Sequence, residues 1–409
     1  MTAILKKPAV AVFTGGIDKP YALGLGQALA NRGVPFDLLG NEEMDAPEAG
    51  TDVRARLQRL YGDQRRKRGK VGKQILNLLV YLRLLRFTVT TKARVFHLLW
   101  NYRLEQFDRT ILMLLFKLMR KRVVLTVHNV NAAERDGHDS ALNRWTLSFQ
   151  YRLADHLFVH TELMGRELVT GFGISPDRVS VIPFGINDTV PKTAITCLES
   201  RDKLQLGAND RVVLFFGRIK PYKGLEHLVR AFQQASASDA DLRLVIAGEP
   251  NKESLGYWKG IQSEIESWDE RARIRCEIRH ILDAETEVYF KAADVLALPY
   301  TNIFQSGVLF LAYNFGLPVI ATDAGSLNEM IREGETGFVC AAGDDADLAR
   351  VLGTYFSSDL YRNLAGRRAG IRQFAAERSS WEKVAEITEH VYQNVLAPVK
   401  LIHRTQTQL

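Results

Sequence analysis

The sequence predicts an α/β protein built as two parallel-sheet units in tandem, and three observations carry that reading. The chain has 409 residues, more than one ordinary core accommodates. Short apolar runs bounded by Gly, Pro or Asn alternate with longer amphipathic segments, the pattern of a parallel sheet covered by helices. That alternation breaks at the polar stretch FGINDTVPKTAITCLES, residues 184–200, which reads as a linker, and then restarts.

In the first unit the apolar runs predict strands at Ala9 to Phe13, Phe36 to Leu39, Val95 to Leu99, Val123 to Val127, Leu157 to Val159 and Val179 to Ile182. Helices are expected at Tyr21 to Asn31, Glu105 to Arg120, Asn143 to Ala154 and Met164 to Thr170. In the second unit strands are expected at Val212 to Phe216, Leu242 to Ala247, Ile274 to Ile278, Val295 to Leu298 and Val319 to Ala321, with helices between them. Near the end, Ser379 followed by Glu382 fits a capping box. Trp381, Val384, Ile387, Val391 and Val395 then recur at helical spacing, predicting a long closing helix. The expected division is 1–190, 191–375 and a closing segment 376–409 that returns to the first unit.

Composition narrows the class. Hydrophobic residues at 46% and charged residues at 25% describe a globular protein. Cys197, Cys276 and Cys340 are far apart and show no metal spacing, as expected of reduced thiols. No apolar run approaches the roughly 20 residues of a membrane span, and the first strand follows the N-terminus too directly for a signal peptide. The expectation is a cytoplasmic protein. Its net charge of +7 is uneven, with 13 Lys and Arg against one acid in residues 54–94. Within that stretch RRKRGKVGKQILNLLVYLRLLRF, residues 65–87, places five cations in six residues ahead of an apolar run. This suits a helix lying on an anionic membrane surface at the inner face, or a solvated basic face over a core helix. Nucleic acid fits less well, because only Tyr81 and Phe87 offer aromatic stacking there.

In open α/β sheets ligands bind beyond the carboxyl ends of strands, where helix starts expose unpaired N–H groups. FFGRIKPYKG places Arg218 and Lys223 after the first strand of the second unit. Arg matches phosphate oxygens bidentately and Lys adds a mobile charge, although a solvated basic loop has the same composition. Helix starts expected at Ser306-Gly307 and Gly325-Ser326 would converge on that pair, forming a cradle for a nucleotide diphosphate. Ordinary strand-to-helix turns use the same residues. Gly15 and Gly16 follow the first strand, without the Gly-x-Gly-x-x-Gly fingerprint of dinucleotide sites. His128 follows another buried strand and is either a hydrogen-bond partner for a sugar hydroxyl or a structural histidine. DDADLAR, residues 344–350, reads as a helix N-cap cluster rather than a metal site. No metal or other cofactor is expected.

FFGRIKPYKGLEHLVRAF, LVIAGEP, AADVLALPY and GLPVIATDAGSLNEMIREGETGFV resemble, in order and spacing, the C-terminal half of family 4 glycosyltransferases. TVHN, LFVHTELMGREL and VIPFGIN resemble segments of the first half. The resemblance implies the GT-B architecture, two Rossmann-like domains facing across a cleft with a C-terminal helix crossing back. It also implies retaining transfer from a nucleotide-diphosphate sugar to a glycan or lipid-linked acceptor. Carried over by position, Arg218 and Lys223 match the diphosphate pair, and Ser306, Gly307 and Val308 the loop facing donor phosphate or sugar. Gly15 and Gly16 match the first glycine loop, and His128 the histidine near the donor sugar. One departure is large: Ile303 and Leu311 stand where many members carry two glutamates, leaving Gln305 and Glu329 as candidates for sugar or ribose contacts. A nucleotide-sugar epimerase and a donor-binding pseudoenzyme are the alternatives within this fold.

Overall fold

A computed structural model of the chain describes residues 10–16, 19–42, 44, 55–62, 69–185 and 190–397. The first sheet contains β1 (Val10–Phe13), β2 (Phe36–Gly40), β3 (Ala55–Arg59), β4 (Val95–Leu98), β5 (Arg122–Thr126), β6 (His156–Val159) and β7 (Val179–Val181). Its order is β3-β2-β1-β4-β5-β6-β7, and the pairings are parallel. The second contains β8 (Arg211–Phe216), β9 (Leu242–Ala247), β10 (Ile274–Glu277), β11 (Val295–Leu298), β12 (Val319–Thr322) and β13 (Gly337–Cys340). Its order is β10-β9-β8-β11-β12-β13, again parallel. Two Rossmann-like sheets face each other across a cleft, as expected.

The central strands are apolar on both faces because helices cover both. VAVF in β1 and VLAL in β11 are buried at every position. Phe13, Phe96 and Phe116 fill one face of the first sheet, while Val12, Leu25 and Phe158 fill the other. Two strands escaped the sequence reading. β3, ARLQR, is a partly exposed edge strand with a polar composition, and β13 is a short GFVC run.

Three local expectations need correction. The end of the expected linker is helical, residues 197–200 opening helix Cys197–Lys203 behind a capping box between Thr196 and Glu199. The closing helix is Trp381–Leu396; its N-cap is Ser380 without a side-chain bond, and the Ser379 hydroxyl is buried without a partner. The capping box expected of Ser379 and Glu382 therefore does not form. Finally, Gly325-Ser326 opens no helix of length. Gly325, at φ +62°, turns the chain under the Ile303 carbonyl, and only the single turn Asn328–Met330 follows.

The closing helix packs on helix Lys19–Asn31 of the first unit. Trp381 lies against Gly24 and Gly185, and Val384, Val391 and Tyr392 share a core with Val10 and Leu25. Arg32 pairs with Glu382 at 2.7 Å and Glu389 at 2.8 Å. His97 is buried between the hydroxyls of Tyr392, at 2.6 Å, and Thr126, at 2.7 Å. Burial pushes its pKa down to about 3, so it stays a neutral tether.

The basic segment is split by what is described. Residues 65–68 lie outside the described residues, whereas Lys70–Thr90 forms a helix of 21 residues. Its inner face places Val80, Tyr81 and Leu84 in the core, and its outer face exposes Ile75, Leu78 and Leu82. Among the described residues, no helix is long and apolar enough to cross a membrane.

Candidate functional site: a cationic cavity between the two units

The loop after β8 sets the first cation. Gly217 leaves the strand at φ +102°, the turn Pro221–Lys223 follows, and Gly224 starts helix Leu225–Ser236. Gly224 has φ +60°, and a Cβ there would overlap the Pro299 carbonyl. This tight turn holds the Lys223 side chain inward, with only 7% of the residue exposed and Nζ 5.4 Å from the Tyr300 ring centroid. Burial lowers its pKa to about 8, with further lowering by Lys220, Arg135 and Arg218. No carboxylate pairs with Lys223 among the described residues.

The loop after β11 supplies the opposite wall. Helix Gly307–Asn314 begins beyond Ser306, whose side chain makes no capping bond; Leu309 N–H donates to the Ser306 carbonyl at 3.1 Å, which leaves the Gly307 and Val308 N–H groups open to a ligand. Ser306, Gly307, Val308 and Lys223 line a cavity of about 390 Å³ together with Tyr300 and, from the first unit, Tyr21 and Arg135. A buried cation facing an uncapped helix start suits a compact polyanion. Ile303 and Leu311, both buried, form its apolar side.

Sequence reasoning missed the tie between the two walls. Asp136 of the first unit accepts from Lys220 of the second at 2.9 Å and from Arg135 at 2.8 Å. Arg135 also lies 4.3 Å from the Tyr222 ring centroid. Burial raises the Asp136 pKa, but Arg135 and Lys220 outweigh it and hold the carboxylate below its ordinary range. The two sides of this tie lie 84 or more positions apart in sequence, and no local pattern announces their meeting.

His128 lies on the first-unit side. Its ring stacks on Trp100 with centroids 4.1 Å apart and planes 2° from parallel. The Nδ1 atom is 3.1 Å from Nε2 of His160, whose own Nδ1 is 3.3 Å from the Ile182 carbonyl. A carbonyl only accepts, so His160 donates from Nδ1, accepts at Nε2, and obliges His128 to donate from Nδ1. In the neutral ring this leaves His128 Nε2 as a bare acceptor, and that atom has no partner. Burial lowers the His128 pKa well below its usual value, with contributions from His160 and His97. The ring therefore stays neutral.

His128, Trp100, Asn101 and Asn129 line a second cavity of about 360 Å³, which shares Arg135 with the first. Gly15, at φ +61°, packs against Trp100 and Asn101, and Gly16, at φ +74°, against Tyr61. Gly15 thus backs onto two residues of the His128 cavity, whereas Gly16 packs on Tyr61, which does not line it.

Two expected residues lie elsewhere. Arg218 is exposed and does not line the Lys223 cavity, although its charge acts on Lys223. Glu329 and Ser326 line a separate rear cavity of about 290 Å³ near the closing helix, which shares only Phe184, Gln305 and Ser306 with the Lys223 cavity. The expected Gly325-Ser326 element therefore does not converge on Lys223. The Asp-x-Asp run behaves as read, Asp344 capping helix Asp345–Ser357 by accepting from the Asp347 N–H.

Comparison with known proteins meets this geometry at both units. Residues 19–190 match the family model described as Glycosyltransferase Family 4, and residues 210–357 match the model described as Glycosyl transferases group 1. The chain belongs to glycosyltransferase family 4. The D-inositol 3-phosphate glycosyltransferase of Streptomyces scabiei is 29% identical over 252 residues, covering 59% of this chain and 54% of that protein. The chain thus spans somewhat over half the length of the curated relatives it matches. Among solved structures, sucrose-phosphate synthase from Thermosynechococcus elongatus superimposes with TM-score 0.73 at 18% identity, covering 95% of this chain and 99% of that one. Anabaena Alr3699/HepE in complex with UDP-glucose gives TM-score 0.71 at 16% identity, with 95% and 100% covered. At these identities the likeness establishes the shared GT-B fold of this family 4 chain.

Proposed function

We propose that the protein is a retaining, metal-independent hexosyltransferase that moves a sugar from a nucleotide-diphosphate sugar to a glycan or lipid-linked acceptor. The observation that carries this reading is Lys223, a buried cation with no described acidic partner, facing the uncapped start of helix Gly307–Asn314. As the bond from the anomeric carbon to the diphosphate breaks, charge grows on the departing oxygens. Lys223, the Gly307 and Val308 amides and, at longer range, Arg218 stabilise that charge from fixed positions. One such donor is often worth about 10²- to 10³-fold in rate. The bare Nε2 of His128 accepts from a sugar hydroxyl, and the Trp100 and Asn101 side of its cavity receives the acceptor. Support comes from the family and from HepE, whose structures hold UDP and UDP-glucose.

The test is to screen nucleoside diphosphates by thermal shift, then follow turnover of the stabilising nucleotide's sugars by proton NMR with EDTA present. A product that keeps the donor's anomeric configuration supports the reading. An inverted product, or dependence on added divalent metal, contradicts it. A donor-binding protein without turnover is the second reading, favoured by the apolar Ile303 and Leu311 in the cavity wall. Stabilisation by nucleotide with no sugar consumed would select it.

Within this proposal the first unit also rests on an anionic membrane surface at the inner face. Ile75, Leu78 and Leu82 on helix Lys70–Thr90 are exposed, as are Ile111 and Leu118 on the next helical segment and Trp145 beyond it. Exposed Lys73, Arg83 and Arg86 supply the matching charge.

A further inference from the structure

A cavity of about 410 Å³ lies on the second unit, lined by none of the residues that form the Lys223, His128 or rear cavities. Four cations line it, Lys192, Lys291, Arg368 and Arg372, and no carboxylate does. Ile195 and Phe315 give it an apolar floor, and Lys192 Nζ lies 6.0 Å from the Phe315 ring centroid.

Structural duties account for part of this charge. Lys192 donates to the Asn314 side chain at 2.6 Å. Lys291 donates to the Thr193 and Ile195 carbonyls at 2.7 and 2.8 Å and pairs with Glu287 at 3.1 Å. Arg368 donates to the Ala293 carbonyl at 3.0 Å and the Phe315 carbonyl at 3.5 Å. Those two carbonyls close helices Asp283–Ala292 and Gly307–Asn314, whose C-terminal ends carry about half a negative charge each. Glu287 offsets Lys291, and the two helix ends together offset about one more cation. About two positive charges are left uncompensated, one of them on Arg372, which has no hydrogen bond or ion pair among the described residues.

We propose that this cavity binds a phosphate monoester, its dianion between Lys192 and Arg372 and its apolar body over Ile195 and Phe315. A dianion matches the uncompensated charge, and Arg and Lys together match its oxygens. Helix Gly307–Asn314, whose first turn faces the Lys223 cavity, ends against this second anion site.

Phenyl phosphate is the probe, titrated calorimetrically into the full chain, with phenol as the control. The expected result is binding to the wild type and to Lys223→Ala alike, but about tenfold or more weaker in Lys192→Ala/Arg372→Ala, the scale of lost charge-assisted hydrogen bonds. The double variant's own cooperative melting transition, compared with that of the wild type, reports that it is folded. Wild-type affinity in the double variant, no binding to the wild type at millimolar probe, or equal binding of phenol would each overturn the proposal. Failure of the nucleotide reading would leave the phenyl phosphate titration unaffected.

Discussion

Replacing Lys223 by Met is expected to stabilise the fold while abolishing its response to nucleotide. Burial lowers the Lys223 pKa from 10.5 to about 8. Each unit corresponds to about 1.4 kcal/mol, so holding this side chain charged costs the empty protein about 3 kcal/mol at pH 7. The sign follows from proton binding. Between pH 8 and 10.5 the unfolded chain holds the proton that the folded chain has lost, so wild-type stability rises with pH across that window. Met fills similar volume without the charge and removes that rise. Urea denaturation of both proteins should show Lys223→Met more stable by up to about 3 kcal/mol at pH 7, with the difference roughly halved near pH 9.5. Nucleoside diphosphate should raise the melting temperature of the wild type alone. A variant less stable than wild type at pH 7 that still responds to nucleotide would refute the reasoning.

Three further outcomes are expected. Asp136→Asn should cost about 1 kcal/mol through the Lys220 and Arg135 contacts; because the Asp136 pKa is depressed, the difference from wild type should be present at pH 6 and fade below about pH 4 in urea titrations. Trp381→Ala should cost about 3 kcal/mol or more, because the indole fills the space against Gly24 and Gly185, and differential scanning calorimetry would read the loss. Leu78→Glu with Leu82→Glu should reduce cosedimentation with anionic vesicles severalfold at low salt without lowering thermal stability, since both side chains are exposed.

How much of this was legible in the sequence depended on whether the signal was local. β1, β8, β9 and β11 were readable because strands buried on both faces must be continuously apolar. β3 was not, because the edge strand ARLQR carries no such demand. The turn before Gly224 was readable as a basic site, since Gly217, Lys223 and Gly224 are close in sequence. The convergence imagined for Gly325-Ser326 was wrong because positive φ at Gly325 redirects the chain, and glycine alone does not announce a helix. Asp136 with Lys220, and Arg135 with Tyr222, were invisible as partners. Their meeting depends on how two separately folded sheets are placed, which no residue periodicity encodes.

The return of helix Trp381–Leu396 to the first sheet bears on how the chain is made. During synthesis, Val10, Leu25 and His97 emerge from the ribosome long before Val384, Val391 and Tyr392, the residues that complete their apolar layer. Until then the nascent N-terminal portion carries an uncovered greasy flank, a natural target for chaperones. Its maturation is gated by translation of the C-terminal segment, so a ribosome stalled within the second unit would strand the first unfinished.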